Sequence, residues 1–128
     1  MKPEYQRHPN IRSVNTRRDL YAVADLIETC FNSQMDAEGR AYIRQIRRMA
    51  ERAQAPFGTG LMGESQMPLR GLVWEQDGKV VANLTLLPFL KEMKPVYLIA
   101  NVAVHPDYRQ HGIGRELTRG AIEHVRSL

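Results

Sequence analysis

The sequence predicts an α+β domain, a mostly antiparallel sheet flanked by helices. Three observations carry this. In the first half, apolar residues recur at helical spacing, as Leu20, Val23, Ala24, Ile27 and Phe31 and again as Tyr42, Ile43, Ile46, Met49 and Ala53. From Arg70 the pattern changes to short extended runs around Asp77-Gly78, a residue pair suited to a tight hairpin. A final helical stripe, Ile113, Leu117, Ala121 and Val125, follows an apolar run and a glycine-bearing turn.

The elements follow in chain order. Residues 1–10 form a polar leader, and Ile11 to Val14 make a short strand. Asn15 or Thr16 caps a helix whose first turn holds Asp19. A second helix, capped near Asp36, runs to about Ala53. Its opposite face carries Arg40, Arg44, Arg47, Arg48 and Arg52, the pattern of a solvated surface. Residues 54–69 include Pro56, Gly58, Gly60, Gly63 and Pro68 without a sustained period, and read as a long loop.

Leu72 to Glu75 and Lys79 to Leu87 then form the hairpin. In its second strand Val80, Ala82, Leu84 and Leu86 face one way, and Val81, Asn83, Thr85 and Leu87 the other. Pro88 is expected to end regular pairing, with Lys91 to Pro95 as the next connection. The run VYLIANVAV, Val96 to Val104, reads as a strand buried on both faces. Pro106 closes it, and the last helix spans Gly112 to about Arg126.

The 128 residues suit one small domain, 1–128. A hydrophobic fraction of 43% and a charged fraction of 25% are those of an ordinary globular protein. No apolar run approaches the roughly 18 residues of a membrane span, and the amino terminus has no signal-like apolar core. A cytoplasmic location is therefore expected, with no membrane partner. The single cysteine, Cys30, lies in an apolar stripe and reads as a packed small hydrophobe. The histidines and the cysteine lack metal-ligand spacing, so no metal site is expected. The net charge of +4 favours a polyanionic partner or a phosphate-bearing cofactor. Aromatics do not interleave with the arginines, so a nucleic-acid partner is not predicted.

Chemistry is concentrated where the apolar run meets the last helix, in Asn101-Val-Ala-Val-His-Pro-Asp-Tyr-Arg-Gln-His-Gly-Ile-Gly-Arg-Glu-Leu117. A strand-turn-helix junction with Gly112 and Gly114 can make an anion site. The first helix amides have no internal acceptor, the helix dipole is positive there, and turn amides can converge on a phosphate oxygen. Glycine admits positive φ and lets a diphosphate approach the backbone. Arg109 and Arg115 add positive charge at the rim.

This stretch resembles the acetyl-CoA signature of the GNAT superfamily, R-x-x-G-x-G following an apolar strand. The element order before it is similar to the family's amino-terminal half, so the resemblance covers nearly the whole chain. It implies that amides of Arg109, Gln110, His111, Gly112, Ile113 and Gly114 hold the pyrophosphate, with Arg115 beside them at the helix start. It implies too that Val102, Ala103 and Val104 pair with the pantetheine arm as an added strand would and orient the thioester. The implied activity is N-acetyl transfer from acetyl-CoA, as co-substrate, to a primary amine of a small molecule or peptide, by direct attack in a ternary complex. A different class is an idle acyl-CoA-binding interaction or sensor lobe of a tandem GNAT protein.

The catalytic side is not assigned by the residues. Family members often draw a base from the central strands and a tyrosine acid from a helix beyond the motif helix. Between Val96 and Val104 there is no carboxylate or histidine. Asn83, Thr85 and Asn101 either line a cleft and order a water or are satisfied polar groups, and both readings stay open. His105, His111 and Tyr108 flank the motif and read as loop residues. Family domains continue beyond the motif helix into further strands. The expectation is therefore a partial domain, cut after that helix, whose strand 96–104 is covered by self-association or by a missing carboxy-terminal segment.

Overall fold

The computed structural model describes residues 6–54 and 70–128. The first half of the leader and all but the first residue of the expected 54–69 loop lie outside the described residues.

The order is β1 (Ile11–Ser13), α1 (Leu20–Phe31), α2 (Ala37–Gln54), β2 (Arg70–Gln76), β3 (Lys79–Lys91), β4 (Lys94–Val104) and α3 (Ile113–Arg126). The strands form one antiparallel sheet in the order β1-β2-β3-β4. Each face of the sheet buries its own apolar cluster. Leu72, Trp74, Ala82, Leu84 and Leu86 pack against Ile113, Leu117 and Ala121 of α3. On the other face Val73 joins Leu20, Val23 and Ile27 of α1 and Ile43, Ile46 and Met49 of α2. The α+β expectation thus holds, with the helical stripes read from the sequence as the buried faces.

The start of α1 differs from expectation. Asn15 does not cap it: its side-chain oxygen accepts from the Arg17 amide at 2.9 Å within a preceding turn, and the helix begins at Leu20 with Asp19 as N-cap. The cause is Arg12, whose guanidinium takes both Asp19 carboxylate oxygens at 2.6 and 3.0 Å, while the Asn15 amide adds a bond at 2.7 Å. Asp19 is thereby tied to β1 and cannot cap in the usual way. At α2, by contrast, Asp36 accepts from the Gly39 amide at 2.8 Å, a proper cap.

Two bulges reshape the sheet. Trp74 pairs with Ala82 but Glu75 with Val80, leaving Val81 as an extra residue. Val81 therefore joins the α3-side cluster and Val80 packs toward α1 and α2, the reverse of the simple alternation expected. Thr85 pairs with Asn101 but Leu86 with Ile99, so Ala100 is the extra residue in β4.

Pro88 does not end β3. The strand continues to Lys91, with Pro88 opposite Tyr97 and a tight turn at Glu92 and Met93 in place of a connection from Lys91 to Pro95. Among the described residues pairing with β2 stops at Leu86 and β3 beyond it pairs with β4 alone, so a missing proline amide is tolerated on the other side. The expectation that Val96 to Val104 is buried on both faces also fails. Among the described residues β4 is a sheet edge; Ala103 is its one buried residue, and Leu98, Ile99 and Val102 are exposed. An apolar run marks a doubly covered strand and an edge awaiting a neighbour equally well.

Candidate functional site

The candidate site forms where β4 runs into α3. The His105 amide donates to the Val81 carbonyl at 2.8 Å, fixing the end of the strand to β3. Pro106 to Tyr108 then make a short 3-10 turn, closed by the Tyr108 amide on the His105 carbonyl at 2.9 Å. Gln110 and Gly112 adopt left-handed φ values of 68° and 77°, which swing the backbone into the helix. Glycine meets this demand at 112 without cost.

The first rung of α3 is the Glu116 amide donating to the Gly112 carbonyl at 3.0 Å. The amides of Ile113, Gly114 and Arg115 precede it and have no acceptor inside the helix. They sit at the positive end of the helix dipole, and Ile113 is buried in the α3-side core, which holds the turn in place. Gly114 is informative for a different reason. A Cβ there would meet only Val104 Cγ2 at 3.8 Å and Val102 Cγ1 at 3.9 Å, ordinary contacts, and no unusual φ demands glycine. The fold does not need a glycine at 114; an approaching ligand would.

Arg109 is anchored by its Nε–H to the Val104 carbonyl at 3.0 Å, which leaves the rest of its guanidinium beside the turn. Gln110, His111 and Arg115 are exposed. Next to them runs a groove of about 280 Å³ lined by Cys30, Phe31, Val102, Ala103, Val104 and Arg109. The edge of β4 is one wall and the end of α1 the other. Cys30 is half-buried, and its thiol donates to the Val104 carbonyl at 3.3 Å, so it belongs to the groove wall more than to the core expected for it. The ten residues 102–104 and 109–115 are thus contiguous in space, as groove edge and turn.

Farther along the same face of the sheet lies a polar group. Asn83 and Thr85 are buried in β3, and Asn101 is the partner of Thr85 across β4. The Asn83 Nδ2 group donates to Thr85 Oγ1 at 3.3 Å, while its Oδ1 is buried and has no partner among the described residues. Tyr42 of α2 packs partly buried against the cluster on this face, and its burial pushes the phenol pKa up, with Thr85 and Asn101 acting in the opposite direction. Sequence reasoning counted Tyr42 only as part of an apolar stripe. Asn83 is not the satisfied polar group it was allowed to be. His105 and Tyr108 stand edge-on with ring centroids 6.0 Å apart and do not line the groove.

No helix among the described residues is long and apolar enough to cross a membrane. No curated protein matches the sequence. Solved structures match its fold. A ribosomal-protein-alanine N-acetyltransferase from Brucella melitensis biovar Abortus 2308 superposes with a TM-score of 0.61 at 14% identity, over 91% of this chain and 72% of that one. A GNAT family acetyltransferase from Brucella melitensis, solved with acetyl-CoA, gives 0.60 at 20% identity over 94% and 71%. The PaiA N-acetyltransferase of Thermoplasma acidophilum, solved with coenzyme A, gives 0.58 at 15% identity over 91% and 71%. At these identities the likeness is one of fold. The model of the acetyltransferase (GNAT) family matches residues 20–128, from the first helix through the strand, turn and helix just described, and the chain belongs to that family.

Proposed function

We propose that the chain acts in N-acetyl transfer, with acetyl-CoA as co-substrate and a primary amine of a small molecule or peptide as acceptor. The observation that carries this is the junction of the 105–115 turn with the β4 groove. Free amides at 113–115 and the Arg109 guanidinium suit the pyrophosphate, and the open edge of Val102, Ala103 and Val104 suits the pantetheine arm. Two of the superposed acetyltransferases were solved with coenzyme A or acetyl-CoA. The acetyl thioester supplies an activated carbonyl. The amine nitrogen attacks its carbon in a ternary complex, the C–N bond forms, the C–S bond breaks, and the proton lost by nitrogen ends on the thiolate. We place the reaction in the cytoplasm, without nucleic acid or membrane as partner, and with strand 96–104 covered by a second copy or a further segment.

Gly114→Ala tests this with opposite signs. Alanine suits the helix better than glycine by about 1 kcal/mol, and the added methyl makes only ordinary contacts. Thermal unfolding should show an equal or higher Tm. Calorimetric titration should show coenzyme A affinity lowered about tenfold or more as the methyl blocks close approach. Unchanged affinity for coenzyme A would overturn the assignment of this turn.

A further inference from the structure

The outer face of α2 carries a row of arginines that the packing of the fold does not use. Arg40, Arg44 and Arg48 recur every four residues, all exposed, and none has an ion pair or side-chain hydrogen bond among the described residues. Arg47, on the flank of the same helix, is the contrast: it reaches Asp25 at 2.7 Å and Glu28 at 2.9 Å and so ties α2 to α1. The row works against the helix instead. Like charges four residues apart repel, and α2 holds two such pairs in succession, 40 with 44 and 44 with 48. Neutral polar side chains would solvate the face without that repulsion. What the arginines add is charge at a fixed spacing. Four residues of helix advance about 6 Å along the axis. An extended peptide presents every second side chain to one side, about 6.6 Å apart. Three guanidiniums therefore match three carboxylates at alternate residues of an extended chain, and the planar guanidinium fork takes a carboxylate through two parallel hydrogen bonds.

The row is also short. Exposed Glu38 and Glu51 flank it on the same helix, and Arg52 beyond it stands beside Glu51. A continuous phosphate backbone would run over both glutamates, whereas a peptide with a few acidic side chains fits between them. Its place in the fold names the occupant. α1 ends at Phe31, in the wall of the groove, and only residues 32–36 separate it from α2, so the Arg40 end of the row is the end toward the groove. We propose that this face of α2 docks the acidic segment of a peptide acceptor, laid extended along Arg40, Arg44 and Arg48 with its amine toward the groove. The identity of the occupant rests on the acetyl-transfer reading above; the docking surface does not.

The test measures binding of short peptides, labelled at the carboxy terminus with fluorescein, to the full chain by fluorescence anisotropy at about 0.1 M salt. One peptide alternates glutamate with serine, a second has the same composition with its glutamates in one block, and a third carries glutamine in place of glutamate. The alternating peptide should bind about threefold or more tighter than the block peptide and about tenfold or more tighter than the neutral one. Replacing the row by the combined Arg40→Gln, Arg44→Gln and Arg48→Gln substitutions should weaken the alternating peptide about tenfold. The same variant should unfold at an equal or higher Tm, since the like-charge pairs are gone. With the alternating peptide as acceptor in turnover, it should raise KM for the peptide about tenfold and leave kcat within about twofold. Equal affinity for the alternating and block peptides, or for wild type and the combined variant, overturns the proposal. Tighter binding of a DNA duplex than of the alternating peptide overturns it in favour of a nucleic-acid surface. Peptide docking as expected with no binding of coenzyme A in calorimetry overturns the acetyl-transfer reading, and with it the acceptor as occupant, while the docking surface stands.

Discussion

At the scale of single residues, the proposed pyrophosphate site divides its work between backbone and side chain, and the division can be measured. The amides at 113–115 are fixed by the turn, whereas Arg115 is an exposed side chain that must be ordered to help. Gly112→Asp adds negative charge and a Cβ at φ 77°, so it should weaken coenzyme A at least tenfold in calorimetry; Arg115→Ala should cost less than about fivefold. Equal losses would contradict a backbone site. Asp19 is the residue on which the helical layer is tied to the sheet. Burial pushes its pKa up, but the Arg12 guanidinium and the Asn15 amide outweigh this and hold it below the ordinary carboxylate value. A depressed folded pKa contributes stability that is complete above the unfolded value, about 3.9, and is lost as pH falls through the folded one. Asp19→Asn should therefore destabilise by about 2–4 kcal/mol at pH 7, since it leaves Arg12 with the Glu75 carboxylate at 3.3 Å and the Ser13 carbonyl at 3.2 Å in place of the two-oxygen pair. The gap between variant and wild type in urea unfolding should close as pH falls below about 3.9.

At the scale of elements, the open side of β4 makes its own prediction. The far ends of β3 and β4 expose Phe89, Leu90, Met93, Leu98 and Ile99 around a two-residue turn, next to unpaired edge amides. The purified chain should self-associate through this edge, and Leu98→Lys should reduce the associated fraction in light scattering while leaving Tm within about 2 °C, because Leu98 is already half-exposed. A monomeric wild type would remove the prediction. This edge also shows how far the sequence could be read. Helical stripes were legible because period 3.6 has few imitators, and the Arg109 to Gly114 turn because glycine spacing followed an apolar strand. The burial of Val96 to Val104 was misread since composition does not count neighbours. The continuation of β3 through Pro88 was misread since only the sheet shows which side of a strand is unpaired. Two bulges changed which side chains share a face, and a one-residue insertion leaves no mark in a run of valines and alanines.

At the scale of the whole molecule, the candidate site belongs to both layers at once. The turn and α3 pack on one face of the sheet, while Cys30 and Phe31 of α1 approach from the other, and β3 and β4 are common to both. A ligand seated on the turn and the groove should therefore stabilise both clusters together. At a concentration of 100 times Kd, coenzyme A adds about 2.7 kcal/mol to the native state, and this appears in every amide that exchanges only through global unfolding. Native-state hydrogen exchange is the measurement. Amides of Ile43 and Ile46 in α2 should slow by about the same factor as that of Leu117 in α3, although α2 does not contribute to the turn. In Gly112→Asp, at the same coenzyme A concentration, both should slow less than in the wild type, and by the same factor as each other. Slowing confined to residues 105–117 would mean that the turn and α3 open independently of the helical pair, and the two faces of the sheet would then be separate cooperative units.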